Sequence, residues 1–290
     1  MYWPSDANRH VDPNLGIGLK WWGGGIENGS MASASHRNGR MLTCLYDTLT
    51  LRSWCEWLAA RDSDSRAPLV LHVDDHRDLG SPRLFIDEGG LCDAITGDRV
   101  SMTEPDTVAA AISSGAIGMG SFLTPFLYAL PGAEIRHLCQ PPKATKTSDF
   151  VVEHITRPDT LIDPTKQRPA VLLRPETEAS GPGTYRVTPD LRSWLGGVPE
   201  GPTLLHIDMD YFNNRYDGDS GWHDQPEKLD PNFEDIAEKI KALGDALRTH
   251  GIMDRIEDAV VAYSPGFFPA EYWKNTDLLL REHLSELYAD

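Results

Sequence analysis

Short apolar runs that end in acidic residues recur along this chain. Leu69-Val70-Leu71-His72-Val73 leads directly into Asp74-Asp75-His76-Arg77-Asp78, and Leu204-Leu205-His206-Ile207 leads into Asp208-Met209-Asp210. Each run reads as a buried strand with functional groups at its C-terminal end, where open α/β sheets collect ligands. Ile135 to Cys139, Ala170 to Leu173 and Ala259 to Tyr263 read as further strands, the last interrupted by Ser264-Pro265-Gly266. Other segments carry helical periodicity. Leu42, Leu45, Leu49, Trp54 and Leu58 predict an amphipathic helix from Met41 to Ala60, ended by the polar stretch of residues 61–68. Glu104 to Ser113 predicts a helix with Pro105 in its first turn. Asn232 to His250 places Phe233, Ile236, Ile240, Leu243 and Leu247 on one face, with Gly251 as a stop signal. Thr276 to Tyr288 predicts a terminal amphipathic helix. Residues 113–126 read as a Gly-rich loop approaching the site, and residues 141–200 as one or two strands among long loops. Residues 1–40, which include Trp21, Trp22 and Gly23-Gly24-Gly25, read as an irregular N-terminal arm with one short strand. Strands alternating with helices argue for an α/β fold with a mostly parallel sheet. With no internal repeat or linker in view, a single domain over residues 1–290 is expected.

Composition narrows the classes. A chain of 290 residues, 40% hydrophobic and 24% charged, can bury a substantial core. Its formal net charge of −17 argues against nucleic acid as a general partner and favours the approach of cationic substrates. The four cysteines, Cys44, Cys55, Cys92 and Cys139, are scattered without the CxxC spacing of a thiolate metal site, and reduced thiols are expected. No basic, apolar signal segment opens the sequence, and no apolar run approaches the ~18 residues of a membrane span. A cytoplasmic protein without a membrane partner is the expectation.

The acidic clusters carry the chemistry. In an extended segment, positions 74, 76 and 78 point to one side and present two carboxylates and an imidazole to a common point. Asp208 and Asp210 share a face in the same way, with Met209 turned to the core. Clustered carboxylates repel one another unless a cation neutralises them. Oxygen and nitrogen donors of this kind suit Mn, Fe or Zn. A capped acidic turn is the plain alternative for either cluster alone; the two together point to a metal site.

Asp-x-His-x-Asp after one strand and Asp-x-Asp after a later one resembles the arginase/ureohydrolase superfamily. The stretches LHVDDHRDLG, HIDMDYFNNRYDGDS and AYSPGFFP are most similar to its peptide arginases, which convert arginine side chains of ribosomally made precursor peptides to ornithine and release urea. The resemblance implies a three-layer arginase-like α/β domain and a Mn-dependent C–N hydrolase with two Mn(2+) ions. It makes Asp74 and Asp208 bridging ligands, Asp78 a ligand of one ion, and His76 and Asp210 ligands of the other. Asp78 and His76 become the catalytic residues, with Asp78 holding the nucleophilic water. The implied partner is an arginine-containing precursor peptide, and the implied role is maturation of that peptide.

Three positions depart from the pattern. Arginases take a further histidine ligand from an earlier loop, for which His36 is the simplest candidate; YDTLTLRSW resembles the family's histidine-bearing helix start with Thr48 in the histidine's place. Agmatinases carry a glutamate two residues before their Ser-Pro, where this chain has Ala262, leaving Glu271 or Asp217 to meet a guanidinium. No proton-shuttling histidine stands in GAIGMGSF. Asn213 and Asn214 are candidates for binding the substrate backbone or completing the metal shell. His72 and His206, inside their strands, read as core or supporting residues, with His206 placed to hydrogen-bond a metal-bound carboxylate. A ureohydrolase of small guanidino compounds, a one-zinc amide hydrolase of the deacetylase sort, and a non-catalytic metal- or peptide-binding protein remain alternatives.

Overall fold

A computed structural model describes residues 10–23, 26, 30–61, 67–177, 181–225 and 228–289. The first nine residues of the expected arm, Gly24-Gly25, and residues 62–66 of the polar stretch expected to end the first helix lie outside the described residues. In chain order the elements are α1 (Leu15–Trp22), β1 (Ser35–Asn38), β2 (Met41–Cys44), α2 (Thr48–Ala59), β3 (Leu69–Val73), β4 (Leu84–Asp87), β5 (Gly90–Asp93), β6 (Arg99–Val100), α3 (Pro105–Ser114) and α4 (Leu123–Ala129). They continue with β7 (Glu134–Leu138), β8 (Ser148–Pro158), β9 (Gln167–Pro175), β10 (Gly183–Thr188), α5 (Leu191–Leu195), β11 (Thr203–Asp208), α6 (Phe233–Thr249), β12 (Ile256–Ala262) and α7 (Trp273–His283).

Hydrogen bonding orders the strands β1-β2-β12-β11-β3-β7-β10-β8-β9-β4-β5-β6 in a twelve-stranded sheet. The central strands are mostly parallel, with helices around them, consistent with a three-layer α/β fold. β12 runs parallel to β2, and β10 to β7. β1 pairs antiparallel with β2, as do β8, β9, β4, β5 and β6 along their own successive pairings. Every residue of β3 and of β11 is buried, the pattern of strands covered on both faces. Among the described residues, no helix is long and apolar enough to cross a membrane.

The chain divides into two compact units. One comprises Met1–Tyr46, Val73–Asp75 and Leu205–Asp290. Its α6 begins where the Asn232 side chain accepts from Asp235 N (3.0 Å), and Glu234 and Asp235 complement the positive helix end. Ile236, Ile240, Leu243 and Leu247 form its buried stripe, and Gly251, at φ 63°, turns the chain away. Gly244, on the same helix, packs against the His283 carbonyl at the end of α7, where no side chain fits. In the other unit, Asp47–His72 and His76–Leu204, the core gathers Trp54, Phe122, Phe126, Val70, Ile135 and Leu204. The Trp54 and Phe126 rings lie 5.0 Å apart.

Several segments differ from the sequence reading. Met41–Cys44 is a strand, and only Thr48–Ala59 is helical. Asn38↔Met41 pairing leaves a two-residue turn at Gly39-Arg40, with Gly39 at φ 57°, and this hairpin overrides the helical spacing of Leu42 and Leu45. The arm holds α1 as well as β1, and the terminal helix starts at Trp273, earlier than expected. The loop expected over residues 113–126 gives way to α4 at Leu123, with Pro125 in the first turn. Residues 141–200 hold three strands and α5; hairpin pairing of β8 with β9 over nine residue pairs outweighs their prolines and glycines.

Two stability effects follow. Gly244→Ala drives its new methyl into the His283 carbonyl, so unfolding free energy falls by about 1–3 kcal/mol despite alanine's better helix propensity; denaturant midpoints measure this. Arg248 holds the Glu286 carboxyl down to about 2, from an ordinary value of 4.5. Because the folded value is depressed, the pair stabilises fully above the ordinary value, and the effect is lost as pH falls through about 2. Both side chains are 35–36% exposed, so solvent screens the pair. Glu286→Gln is expected to cost about 0.5 kcal/mol at pH 7, with thermal melts converging on those of the native protein in acid.

Candidate metal centre

The acids sit where the two fully buried strands end, in turns more tightly folded than the alternating pattern expected for them. β11 stops at Asp208, whose Oδ1 accepts from Asp210 N (3.0 Å) and so caps a single 3₁₀ turn, Met209–Tyr211. Met209 is buried in the core, as expected. The turn brings Asp210 Oδ1 to the backbone N–H of Asp75, 3.1 Å away. Ser264, two residues past the end of β12 and at φ 42°, donates its hydroxyl to Asp208 Oδ2. The Asn214 amide donates to Asp75 Oδ2 (2.8 Å) and to Asp217 Oδ1 (2.9 Å). Asp74, Asp75, Asp208 and Asp210 are each at most 5% exposed. The donors in these hydrogen bonds are neutral, so they orient the carboxylates without cancelling their charge. His206, fully buried in β11, lies with Nδ1 3.8 Å from Asp74 Oδ2.

On the segment that follows β3, Asp78 adopts φ 52°, a left-handed conformation that aspartate tolerates better than most side chains. Residues 74–78 are therefore a bent loop, not an extended run whose alternate side chains share a face. The Asp78 carbonyl accepts from Leu123 N (3.2 Å), and Asp78 Oδ2 lies 3.8 Å from His72 Nε2. His72 Nε2 is also 3.1 Å from the His76 carbonyl, so the imidazole inside the strand braces the loop beyond it. The His137 ring lies 4.6 Å from that of His72, and the Tyr185 hydroxyl meets His137 Nδ1 at 2.6 Å.

Three groups of side chains bring potential ligand atoms within 4.8 Å of one another: His72, Asp74, Asp78 and His206; Asp74, His76 and Asp210; and Asp75, His76 and Asp217. The first group is entirely buried. These buried histidine and aspartate groups can hold a metal ion. Asp74 and His76 each belong to two groups. Asp208 belongs to none of the three; its two oxygens take the Asp210 amide and the Ser264 hydroxyl. His72 and His206, read from sequence as core or supporting residues, stand among the potential ligands. Their signal was an imidazole inside an otherwise apolar strand, two residues before an aspartate.

The remaining candidates have other surroundings. His36 lies on β1, exposed, with its ring 4.8 Å from that of Trp22, and appears in none of the groups. Glu271 takes an ion pair from Arg215 and a hydrogen bond from Asn14 (3.3 Å). Asn213 ties its own loop, donating to Asp230 (3.0 Å) and Pro231 O (3.1 Å). Asp217 joins the third group and, through Asn214, shares a donor with Asp75.

No family model matches the chain, and no curated protein matches it. The fold and this site define an α/β protein with buried histidine and aspartate groups able to hold a metal ion.

Asn214→Ala removes the donor that Asp75 and Asp217 share while leaving every potential ligand in place. Metal affinity is expected to fall about tenfold or more, the usual consequence of losing an orienting partner. Titration calorimetry with Mn(2+) measures this, and unchanged affinity would count against Asn214 as that partner.

Proposed function

We propose that the chain is a Mn-dependent hydrolase of guanidino groups that converts peptidyl arginine to ornithine and releases urea. The observation that carries this reading is the meeting of Asp74, His76 and Asp210, with Asp74 shared by the buried group that holds Asp78. A shared carboxylate flanked by two ligand sets is what a two-ion site requires. Two Mn(2+) ions would supply a hydroxide near neutral pH and polarise the guanidinium. The residues do the rest. Asp74 would bridge, His76 and Asp210 would complete one side, and Asp78 would complete the other and orient the attacking water. Asp208 supports this arrangement by fixing the Asp210 turn. The acidic chain, at −17, attracts a cationic arginine side chain. Asp217, exposed and joined to Asp75 through Asn214, is placed to meet it.

One observation favours a second reading. Asp74, His76 and Asp210 by themselves are two aspartates and one histidine, the donor set of a one-zinc amide hydrolase.

The test is incubation of Mn-loaded protein with arginine-containing peptides and with acetyl-lysine peptides. Urea release in step with arginine-to-ornithine mass loss supports the proposal, and Asp210→Asn is expected to lower that rate by at least 100-fold. Deacetylation without urea favours the second reading, and neither product removes both.

A further inference from the structure

The loop that precedes α4 stands against Asp78 and is tied to the start of α2. Leu123 N donates to the Asp78 carbonyl (3.2 Å) and Gly80 N donates to the Gly120 carbonyl (2.9 Å), so residues 120–123 bracket residues 78–80. A side chain on Gly80 would meet the Gly120 carbonyl at 2.8 Å, and one on Gly120 would lie 3.9 Å from Asp78 Oδ1. Gly120 holds φ 73°, which glycine adopts without strain. The Ser121 hydroxyl donates to the Gly118 carbonyl (2.7 Å) and closes the turn before it. Gly120 N donates to Asp47 Oδ2 (3.1 Å), across 73 residues of sequence. Asp47 is the buried N-cap of α2, yet its side chain makes no capping bond there. Asp190 and Asn232, at the starts of α5 and α6, do bond their own helices. An N-cap aspartate ordinarily accepts from the first turn of its helix; Asp47 turns instead to the loop beside Asp78.

We propose that Asp47 is a positioning residue: through Gly120 it holds the loop of residues 118–123 against residues 78–80 and so fixes the direction of the Asp78 carboxylate. The inference rests on Asp78 being a metal ligand, as in the proposed function. Asp78 holds φ 52°, a strained conformation that persists only where the surroundings over-determine it. The two bracketing bonds supply that constraint, and Asp47 anchors the segment that makes them. A carboxylate suits the anchor, because the positive end of α2 stabilises its charge in a buried place.

The test compares the full native chain with Asp47→Asn, which keeps an acceptor for the Gly120 N–H, and with Asp47→Ser, which keeps a favoured residue at the helix start but has a shorter side chain. Amide hydrogen exchange reads the anchor without reference to metal or activity. Gly120 is expected to be protected in the native and Asp47→Asn chains and to exchange roughly tenfold faster in Asp47→Ser, with the α2 amides unchanged. Titration with Mn(2+) by calorimetry reads the consequence: affinity is expected to fall about tenfold in Asp47→Ser and to return close to native in Asp47→Asn. An unprotected Gly120 amide in the native chain overturns the inference with no variant needed. An Asp47→Asn chain that binds Mn(2+) about tenfold more weakly than the native one overturns it too. Native Mn(2+) affinity in a folded Asp47→Ser chain overturns the inference alone, whereas absence of Mn(2+) binding in the native chain overturns the proposed function and the inference with it.

Discussion

A carboxylate carried into the interior at the end of an apolar strand must be neutralised, and the construction around Asp74 and Asp208 answers that demand. Removing one charge from water costs several kcal/mol even after the protein relaxes, and Asp74, Asp75, Asp208 and Asp210 are all buried. Backbone N–H groups, a serine hydroxyl and an asparagine amide hold Asp75, Asp208 and Asp210 in place. Such donors fix direction. A divalent cation is an occupant that these buried groups could hold, and it would supply compensating charge.

The backbone bends to serve that geometry. Asp78 and Ser264 both adopt left-handed conformations that L-residues rarely take. Strain of this kind persists where the surroundings over-determine it, often at functional sites. Asp208 caps the turn that carries Asp210, and Asp210 stands with Asp74 and His76 among the potential ligands. The histidines inside β3 and β11 follow the same economy: each sits in a strand whose apolar neighbours secure it, with His72 reaching toward Asp78 on the loop after its own strand and His206 toward Asp74 at the end of β3.

Much of this was legible in the sequence because burial on both faces leaves continuous apolar runs. β3 and β11 were read from such runs, and α6 from its stripe of Ile236, Ile240, Leu243 and Leu247. The acids at the strand ends were legible for the same reason, since polar residues stand out where an apolar run stops. Elements set by pairing across the chain were not. Met41–Cys44 mimicked a helix because Leu42 and Leu45 fall three apart, although Asn38-Gly39 already signalled the hairpin that makes it a strand. β8 and β9 hide among prolines and glycines because their partners are each other. Alternation at Asp74, His76 and Asp78 pointed to residues that fall in groups able to hold an ion, but through an extended geometry where the chain is a bent loop with Asp78 left-handed. Lys143, on the loop after β7 with its Nζ 3.1 Å from His76 Nε2, carried no signal at all, since nothing in its local sequence reveals that approach.

The most direct test of a metal centre at these strand ends is metal stoichiometry by elemental analysis, on folded native chain and on Asp74→Ala, both supplied with Mn(2+). Asp74 belongs to two of the ligand groups, so its loss removes the shared donor. About two Mn(2+) per native chain, and little or none in a folded Asp74→Ala chain, is the result the account predicts. A folded native chain that retains no metal, or an Asp74→Ala chain that retains as much as the native one, would contradict it.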